Sequence, residues 1–89
     1  MKMFTKRLEV EAVQWRGDNA LAFEVFHDLN VWFAVDRNRK DQLRFDVATP
    51  IQHATFWLSK GDWLIREPDG RLVVVKMFDV DRYYEEVSR

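Results

Sequence analysis

The segment Trp57–Val75, WLSKGDWLIREPDGRLVVV, holds three apolar stretches separated by two turns, and this pattern restricts the region to short strands. Gly61 lies in the first turn, and the Pro-Asp-Gly sequence at 68–70 suits a tight reversal of the chain. Short apolar stretches bounded by such turns are typical of strands. The segment therefore predicts a hairpin between strands at 63–67 and 71–77, with the glycine of its turn at a positive φ.

Four further strands are predicted upstream. Apolar and polar residues alternate at 8–12, 43–47 and 54–59, as expected when successive side chains point to opposite faces of a sheet. The run VWFAV at 31–35 is apolar throughout and favours a buried strand. The alternation of the first strand changes parity after Ala12, which predicts a bulge or a sheet crossing that re-aims Trp15.

A single amphipathic helix is predicted over 20–30. Its cap is predicted to be Asp18 or Asn19, because either side chain can accept hydrogen bonds from the first N–H groups of a helix. Apolar residues recur there at helical spacing, namely Leu21, Ala22, Val25, Phe26 and Leu29. Near the end of the chain, one helical turn begun by Asp79 and a short strand at 84–87 are predicted.

These elements predict one α+β domain spanning residues 1–89. One helix cannot cover both faces of a large sheet, so the sheet must close on itself. We therefore expect one amphipathic helix packed on a curled, mainly antiparallel sheet of five to six strands, forming a small roll or half-open barrel. Seven Phe, four Trp and two Tyr supply its core, since each aromatic ring buries roughly 150–250 Å².

Each end of the chain carries its own motif. The first is V-E-A-x-Q-W, and the second is G-D-W-[IL]-I followed by a Phe before a Tyr-Glu pair. The matching positions are Val10, Glu11, Ala12, Gln14, Trp15, Gly61, Asp62, Trp63, Leu64, Ile65, Gly70, Phe78, Tyr84 and Glu85. This pattern resembles a family of small bacteriophage proteins. Lys60 stands where that family commonly has proline, and the stretch 31–56 has no counterpart. The resemblance implies a phage origin and a compact α+β domain, in a family whose members mostly lack an assigned activity.

Composition excludes several classes of protein. The absence of cysteine removes disulfides, cysteine-ligated metal sites and thiol nucleophiles. The formal charge of −1 lacks the basic excess that is usual in dedicated nucleic-acid-binding domains. No apolar run approaches the roughly 20 residues that a membrane-spanning helix needs, and the N-terminus lacks the apolar region of a signal peptide. We therefore expect a protein of the host cytoplasm that uses no cofactor and binds no membrane.

The titratable residues predict neither a catalytic site nor a metal site. The histidines, His27 and His53, would need a serine and a carboxylate arranged around them by the fold, and neither Ser59 nor Ser88 lies in a strand-to-helix turn. The acidic residues near the end of the chain are Asp79, Asp81, Glu85 and Glu86. They lack the spacing of a calcium-binding loop and are interpreted as a solvated face. The protein is predicted not to be an enzyme.

The middle of the chain is the predicted partner-binding region. Basic residues follow directly after aromatic ones there, in the set Trp32, Phe33, Arg37, Arg39, Lys40 and Arg44. We expect an accessory protein that binds a host or phage protein, or a second copy of itself through an unpaired strand edge. The alternative is a nucleic-acid-binding module, because basic groups beside aromatic rings can contact phosphates and stack on bases.

A third hypothesis is the sequestration of a small ligand in the mouth of the roll. Its lining would be Glu11, Gln14 and Trp15, since polar groups in a half-buried strand often mark a site. The other interpretation places Glu11 on the wet face of its strand. Of the tryptophans, we expect Trp63 to be buried under the helix, near the apolar face at 21–29, and the alternative is that it contacts a partner.

Overall fold

The computed structural model describes residues 10–80, which contain six strands and two 3₁₀-helices. The strands are β1 (Glu11–Gln14), β2 (Val31–Asp36), β3 (Gln42–Thr49), β4 (Gln52–Leu58), β5 (Trp63–Arg66) and β6 (Leu72–Val75). The first helix, Ala20–Phe26, joins β1 to β2, and the second, Arg37–Arg39, lies between β2 and β3. The predicted strand at 84–87 and part of the predicted strand at 8–12 lie outside the described residues.

The strands form two three-stranded antiparallel sheets. The first sheet has the order β1-β5-β6 and the second the order β2-β3-β4. Strands account for 46% of the described residues, so the protein is mostly β. The predicted α+β class, with one helix packed on a single curled sheet of five to six strands, is therefore wrong. Alternation identifies which residues are strands, but it does not specify which strands pair.

The connection between β4 and β5 explains the division into two sheets. A hairpin would pair these consecutive strands, but the backbone groups of the connecting turn bond elsewhere. The Trp15 N–H donates to the Asp62 carbonyl at 2.8 Å, and the Trp15 carbonyl accepts from the Gly61 N–H at 2.7 Å. These two bonds extend the pairing of β1 with β5, so the turn directs the chain from the second sheet into the first.

The helix over 20–30 differs from its prediction in type and in orientation. It is a 3₁₀-helix whose buried residues are Phe23 and Phe26. Side chains three residues apart eclipse each other in a 3₁₀-helix, so this pair shares one face. Leu21 is 80% exposed and Val25 is 40% exposed. The predicted apolar face is therefore wrong at these two positions.

Aromatic rings from the helix and the second sheet fill the core. Phe45 lies on β3 with its ring centroid 5.8 Å from that of Phe26, at an interplanar angle of 88°. Phe33 of β2 stacks on Phe45 at 5.8 Å and 6°. Phe23 lies 6.2 Å from Trp15, edge to face. These separations are those at which aromatic pairs attract beyond their burial of area.

Trp63 is only half-buried, so the prediction that it lies buried under the helix is wrong. The fully buried tryptophan is Trp15, at 0% exposure. In β5 the next two residues, Leu64 and Ile65, are both fully buried. β5 is the central strand of the first sheet, and both of its faces are covered there.

Arg66, at the end of β5, connects the first helix to the first sheet. Its guanidinium lies 2.7 Å from Oε1 of Glu11 on β1 and 2.7 Å from Oδ2 of Asp28, just after the helix. The hydrogen bond from Arg66 lowers the pKa of the Asp28 carboxyl. Because this folded-state pKa is depressed, the stability from the pair is present above the carboxyl's unfolded pKa and is lost as pH falls through the folded pKa.

The side chain of Gln52 joins the two sheets. The Gln52 amide on β4 donates from Nε2 to the Leu72 carbonyl at 2.8 Å. Its Oε1 accepts from the Leu72 N–H, also at 2.8 Å. The amide thus satisfies both backbone groups of Leu72, as a neighbouring strand would, at the edge of the first sheet.

The turn between β5 and β6 has the predicted backbone conformation, because Gly70 has φ 94°. A Cβ at this position would lie 3.3 Å from Cδ1 of Ile51. We expect Gly70→Val to lower the free energy of unfolding by about 1–2 kcal/mol, through left-handed strain and this close contact. Urea denaturation measures the change. Gly70→Asn is the control and should cost less, since asparagine tolerates the left-handed region; an unchanged urea midpoint for Gly70→Val would contradict the prediction.

Candidate binding surface

The second sheet has one face on the core and one face directed outwards. Strand register places Trp32 opposite Asp46 and Arg44 opposite Trp57. Thr55 is opposite Asp46 on the other side, so these residues share the outward face. We call this surface the Trp–Arg face, and its members are Trp32, Arg39, Arg44, Asp46, Thr55 and Trp57.

Trp57 lies beneath two guanidinium groups. Cζ of Arg39 is 4.2 Å from the centroid of the indole, and Cζ of Arg44 is 5.6 Å away. Both distances fall within the roughly 6 Å range of cation–π attraction. Arg39 comes from the second helix and Arg44 from β3, so the indole orders two positive groups from different elements.

Asp46 anchors the centre of the face. Its carboxylate accepts a 2.6 Å hydrogen bond from Oγ1 of Thr55 and lies 3.2 Å from Nε of Arg44. This pairing occupies one side of the Arg44 guanidinium. Arg39 forms no ion pair with any residue in the part of the chain that the structure describes. Its N–H donors are therefore oriented by Trp57 and open to solvent.

Trp32 is the exposed aromatic residue of the face, with 58% of its surface accessible. It lies on β2, which is an edge strand of the second sheet among the residues that the structure describes. Most of the tryptophan is therefore exposed to water, and a partner that covered its apolar area would gain hydrophobic free energy. An exposed tryptophan beside arginine side chains is the composition that protein-binding sites favour.

The hairpin between β2 and β3 carries the remaining basic residues of the predicted set. Asp36 caps the second helix by accepting a 3.0 Å hydrogen bond from the Asn38 N–H. Arg37 and Lys40 are exposed on either side of it. Of the predicted partner-binding residues, the structure brings Trp32, Arg39 and Arg44 onto one face and places these two at its end.

Phe33 does not belong to this surface. It follows Trp32 in β2 and so points to the opposite face, where it stacks on Phe45 in the core. Trp57 and Asp46 belong to the face but were absent from the predicted set. The alternation of strand 54–59 contained the signal for Trp57, since it separates Trp57 from the apolar face of that strand.

Glu11, Gln14 and Trp15 have different surroundings. Glu11 pairs with Arg66 on the surface, and Gln14 donates from Nε2 to the Gly61 carbonyl at 3.1 Å. Trp15 is fully buried in the core, so it is not at the mouth of a roll. None of these three residues belongs to the Trp–Arg face.

The histidines have separate surroundings. Nδ1 of His27 lies 2.9 Å from the Glu24 carbonyl, and His53 is exposed on β4. Ser59 accepts a 2.8 Å hydrogen bond from the Gln42 amide. Within residues 10–80, no group of three or more His, Asp or Glu side chains is placed to hold a metal ion. The same residues contain no helix long and apolar enough to cross a membrane.

No protein-family model, curated protein or solved structure matches the chain. The assignment of a function therefore depends on the geometry of the Trp–Arg face and on the sequence pattern of the two ends.

Proposed function

We propose that this protein is a non-enzymatic accessory protein of bacteriophage origin that acts in the host cytoplasm by binding another protein. The binding surface is the Trp–Arg face. The phage setting rests on the resemblance of the two ends of the chain to small bacteriophage proteins. The observation that carries the binding role is the 58% exposure of Trp32 beside the guanidinium groups held on Trp57.

The composition of the face supports a protein partner. Tryptophan and arginine are the residues that most often dominate the free energy of protein–protein binding. Side chains that are already rigid bind more tightly, because less conformational entropy is lost when they are ordered on association. Here the sheet holds Trp32, and stacking on Trp57 holds Arg39, so both are ordered before a partner arrives.

The guanidinium of Arg39 indicates which chemical group the partner carries at this position. A guanidinium has a planar set of N–H donors that matches a carboxylate in a bidentate arrangement. In residues 10–80 no carboxylate occupies that position. A partner with an acidic side chain next to an apolar pocket would therefore meet Arg39 and Trp32 together.

We expect Trp32→Ala and Arg39→Ala each to weaken partner binding by about 2 kcal/mol or more, which is the size of a binding hot spot. Tagged wild-type protein and both variants are incubated with host lysate, and the retained proteins are quantified by mass spectrometry. The supporting result is a protein retained by the wild type and lost from both variants. Arg71→Ala is the control, since Arg71 is an exposed cation in the β5–β6 turn.

Thermal melting accompanies the capture experiment. Trp32 and Arg39 are both exposed, so their variants should melt within a few degrees of the wild type. Sedimentation equilibrium then tests whether the partner is a second copy of the chain. Identical sets of captured proteins for the wild type and both folded variants, with no change in oligomeric state, would contradict the proposed function.

Single-stranded nucleic acid is the second candidate partner. The observation that favours it is an exposed indole and two stacked guanidinium groups on one sheet face, since bases stack on aromatic rings and arginine contacts phosphates. Against it, the Asp46 carboxylate lies at the centre of the face. Fluorescence anisotropy with single-stranded DNA and RNA at low and high salt distinguishes the two, because nucleic-acid binding weakens steeply as salt rises.

A further inference from the structure

A polar groove of about 320 Å³ lies next to the Trp–Arg face and shares no residue with it. Three turns line it: the connection after β1, the β2–β3 hairpin and the β4–β5 turn. The lining residues are Arg16, Gly17, Asp18, Lys40, Asp41 and Lys60. Since these come from three separate parts of the sequence, the groove exists only in the folded protein.

The three walls are fixed to one another through Trp15. The indole Nε1 donates to the Asp41 carbonyl at 3.1 Å, which holds the β2–β3 hairpin. The backbone of Trp15 bonds to Gly61 and Asp62, which holds the β4–β5 turn. Trp15 itself precedes Arg16 in the chain. A single buried residue therefore sets the positions of all three walls before any ligand binds.

The hairpin wall is strained. Lys40 has φ 56° and Asp41 has φ 57°, in the left-handed region that residues other than glycine rarely adopt. Two consecutive residues in this conformation are unusual. Backbone strain of this kind concentrates at ligand clamps, where it holds a group in a required position. Lys40, which ends the second helix, lines the groove at this turn.

The β4–β5 wall brings a second ammonium group. A Cβ built at Gly17, where φ is 95°, would lie 3.8 Å from Cδ of Lys60 and 3.9 Å from Cε. The alkyl chain of Lys60 thus lies against a glycine, which leaves it room to follow the groove. Gly17 and Lys60 are both in the lining, so the Lys60 chain crosses from one wall towards the other.

The charges of the groove are not neutralised internally. Arg16, Lys40 and Lys60 oppose the carboxylates of Asp18 and Asp41, so three positive and two negative charges leave a net charge of +1. None of these five groups forms an ion pair with another residue of the 10–80 range. An anion that enters the groove therefore meets a small excess of positive charge.

We infer that this groove binds a small oxyanion of phosphate chemistry. Phosphate has oxygens directed to several sides, and it can accept from two ammonium groups and one guanidinium that approach from different walls. Lysine ammonium groups act on it as point charges and need no planar alignment. The site is separate from the Trp–Arg face, so it holds whether or not that face binds a protein.

The test is a titration of the protein with sodium phosphate, followed by backbone-amide NMR, with ionic strength held constant by sodium chloride. Saturable shifts should cluster at residues 16–18, 40–41 and 60–61. Lys40→Gly is the informative variant, because glycine removes the cation and also relieves the left-handed strain. Its affinity for phosphate should fall by about tenfold or more, the scale of a lost charge-assisted contact, while its melting temperature stays equal or rises.

Two further variants complete the experiment. Lys60→Gln removes the second ammonium group and should also weaken phosphate binding, whereas Arg71→Gln removes a cation from a distant turn and should leave it unchanged. Loss of affinity in Lys40→Gly and Lys60→Gln, with both proteins folded, supports the site. The inference is overturned if phosphate produces no saturable shift, if the shifts lie elsewhere, or if Lys40→Gly binds phosphate as tightly as the wild type.

Discussion

Replacing Trp15 by alanine should lower the free energy of unfolding by about 3–5 kcal/mol, the range found for truncating a buried aromatic residue. Trp15 is fully buried, and its ring packs edge to face on Phe23. Alanine leaves a cavity among rings that belong to both the helix and the second sheet. It also leaves the Asp41 carbonyl without the indole donor. Urea denaturation followed by circular dichroism measures the loss.

Two variants separate the causes of this loss. Trp15→Phe keeps most of the ring and removes the N–H, so it should destabilise the protein less than Trp15→Ala does. The difference between the two variants measures the stability that comes from side-chain volume. Trp32→Ala removes an exposed tryptophan and should change stability by about 0.5 kcal/mol or less. Equal destabilisation by Trp15→Ala and Trp32→Ala would show that the tryptophans are not divided between core and surface in this way.

The strands were largely predictable from the sequence because alternation depends on local chemistry. β3 and β4 follow the alternation of apolar residues with polar ones, and their apolar sides supply Leu43, Phe45 and Leu58 to the core. Gly70 has the positive φ that its turn required. β1 pairs with β5 in regular register from Glu11 to Gln14, without the predicted bulge, and Trp15 follows the strand into the core.

The pairing of the strands was not predictable in the same way. The turn at 59–62 reads as an ordinary reversal, which favours a hairpin of β4 with β5. In the folded chain, the Trp15 N–H donates to the Asp62 carbonyl and the Gly61 N–H donates to the Trp15 carbonyl, and these bonds take that turn into the first sheet. Trp15 is more than forty positions away from that turn in the sequence, and no local pattern reports a contact at this separation.

The helix was mispredicted because two periods fit the same residues. Leu21, Val25 and Leu29 recur every four positions, which favours an α-helix. Phe23 and Phe26 recur at three, the period of a 3₁₀-helix. Phe23 and Phe26 are the buried pair, because two phenylalanine rings bury more apolar area than Leu21 and Val25 would. Side-chain size decided the buried face.

Part of the residue set predicted from the sequence lies on the Trp–Arg face. The basic residues after VWFAV identified Arg39 and Arg44, and the aromatic run identified Trp32. Phe33 was included with them because a continuous apolar run gives no parity by which to separate its two faces. Register with β3 supplies that parity in the structure, since it sets Trp32 opposite Asp46 and Phe33 opposite Phe45.

Replacing Gln52 by glutamate should destabilise the protein by about 2–3 kcal/mol at neutral pH, although it only exchanges the side-chain NH₂ group for an oxygen. The amide uses both of its ends on Leu72, as donor to the carbonyl and as acceptor from the N–H. A carboxylate has no donor, so it would face the Leu72 carbonyl with negative charge and leave it unsatisfied. Leu72 is fully buried, so water cannot easily replace the lost bond. Urea denaturation at pH 7 measures the effect.

The pH dependence of this variant identifies the cause. A protonated carboxyl is an isostere of the amide, and it can donate to the Leu72 carbonyl again. The folded state therefore raises the pKa of the introduced carboxyl above its unfolded value of about 4.3. The stability difference from the wild type should be complete above the folded pKa, shrink as pH falls through it, and become small below about 4.3. A difference that stays constant with pH would attribute the loss to packing.

Gln42→Glu is the matched control for Gln52→Glu. The Gln42 amide also bonds to another segment of the chain, donating from Nε2 to Oγ of Ser59 just after β4 at 2.8 Å. A hydroxyl can donate as well as accept, so Ser59 can reverse its role and bond to a carboxylate. We expect this substitution to cost about 1 kcal/mol or less. The Leu72 carbonyl has no such freedom, because a backbone carbonyl accepts only, and that asymmetry makes the amide of Gln52 necessary where the two sheets meet.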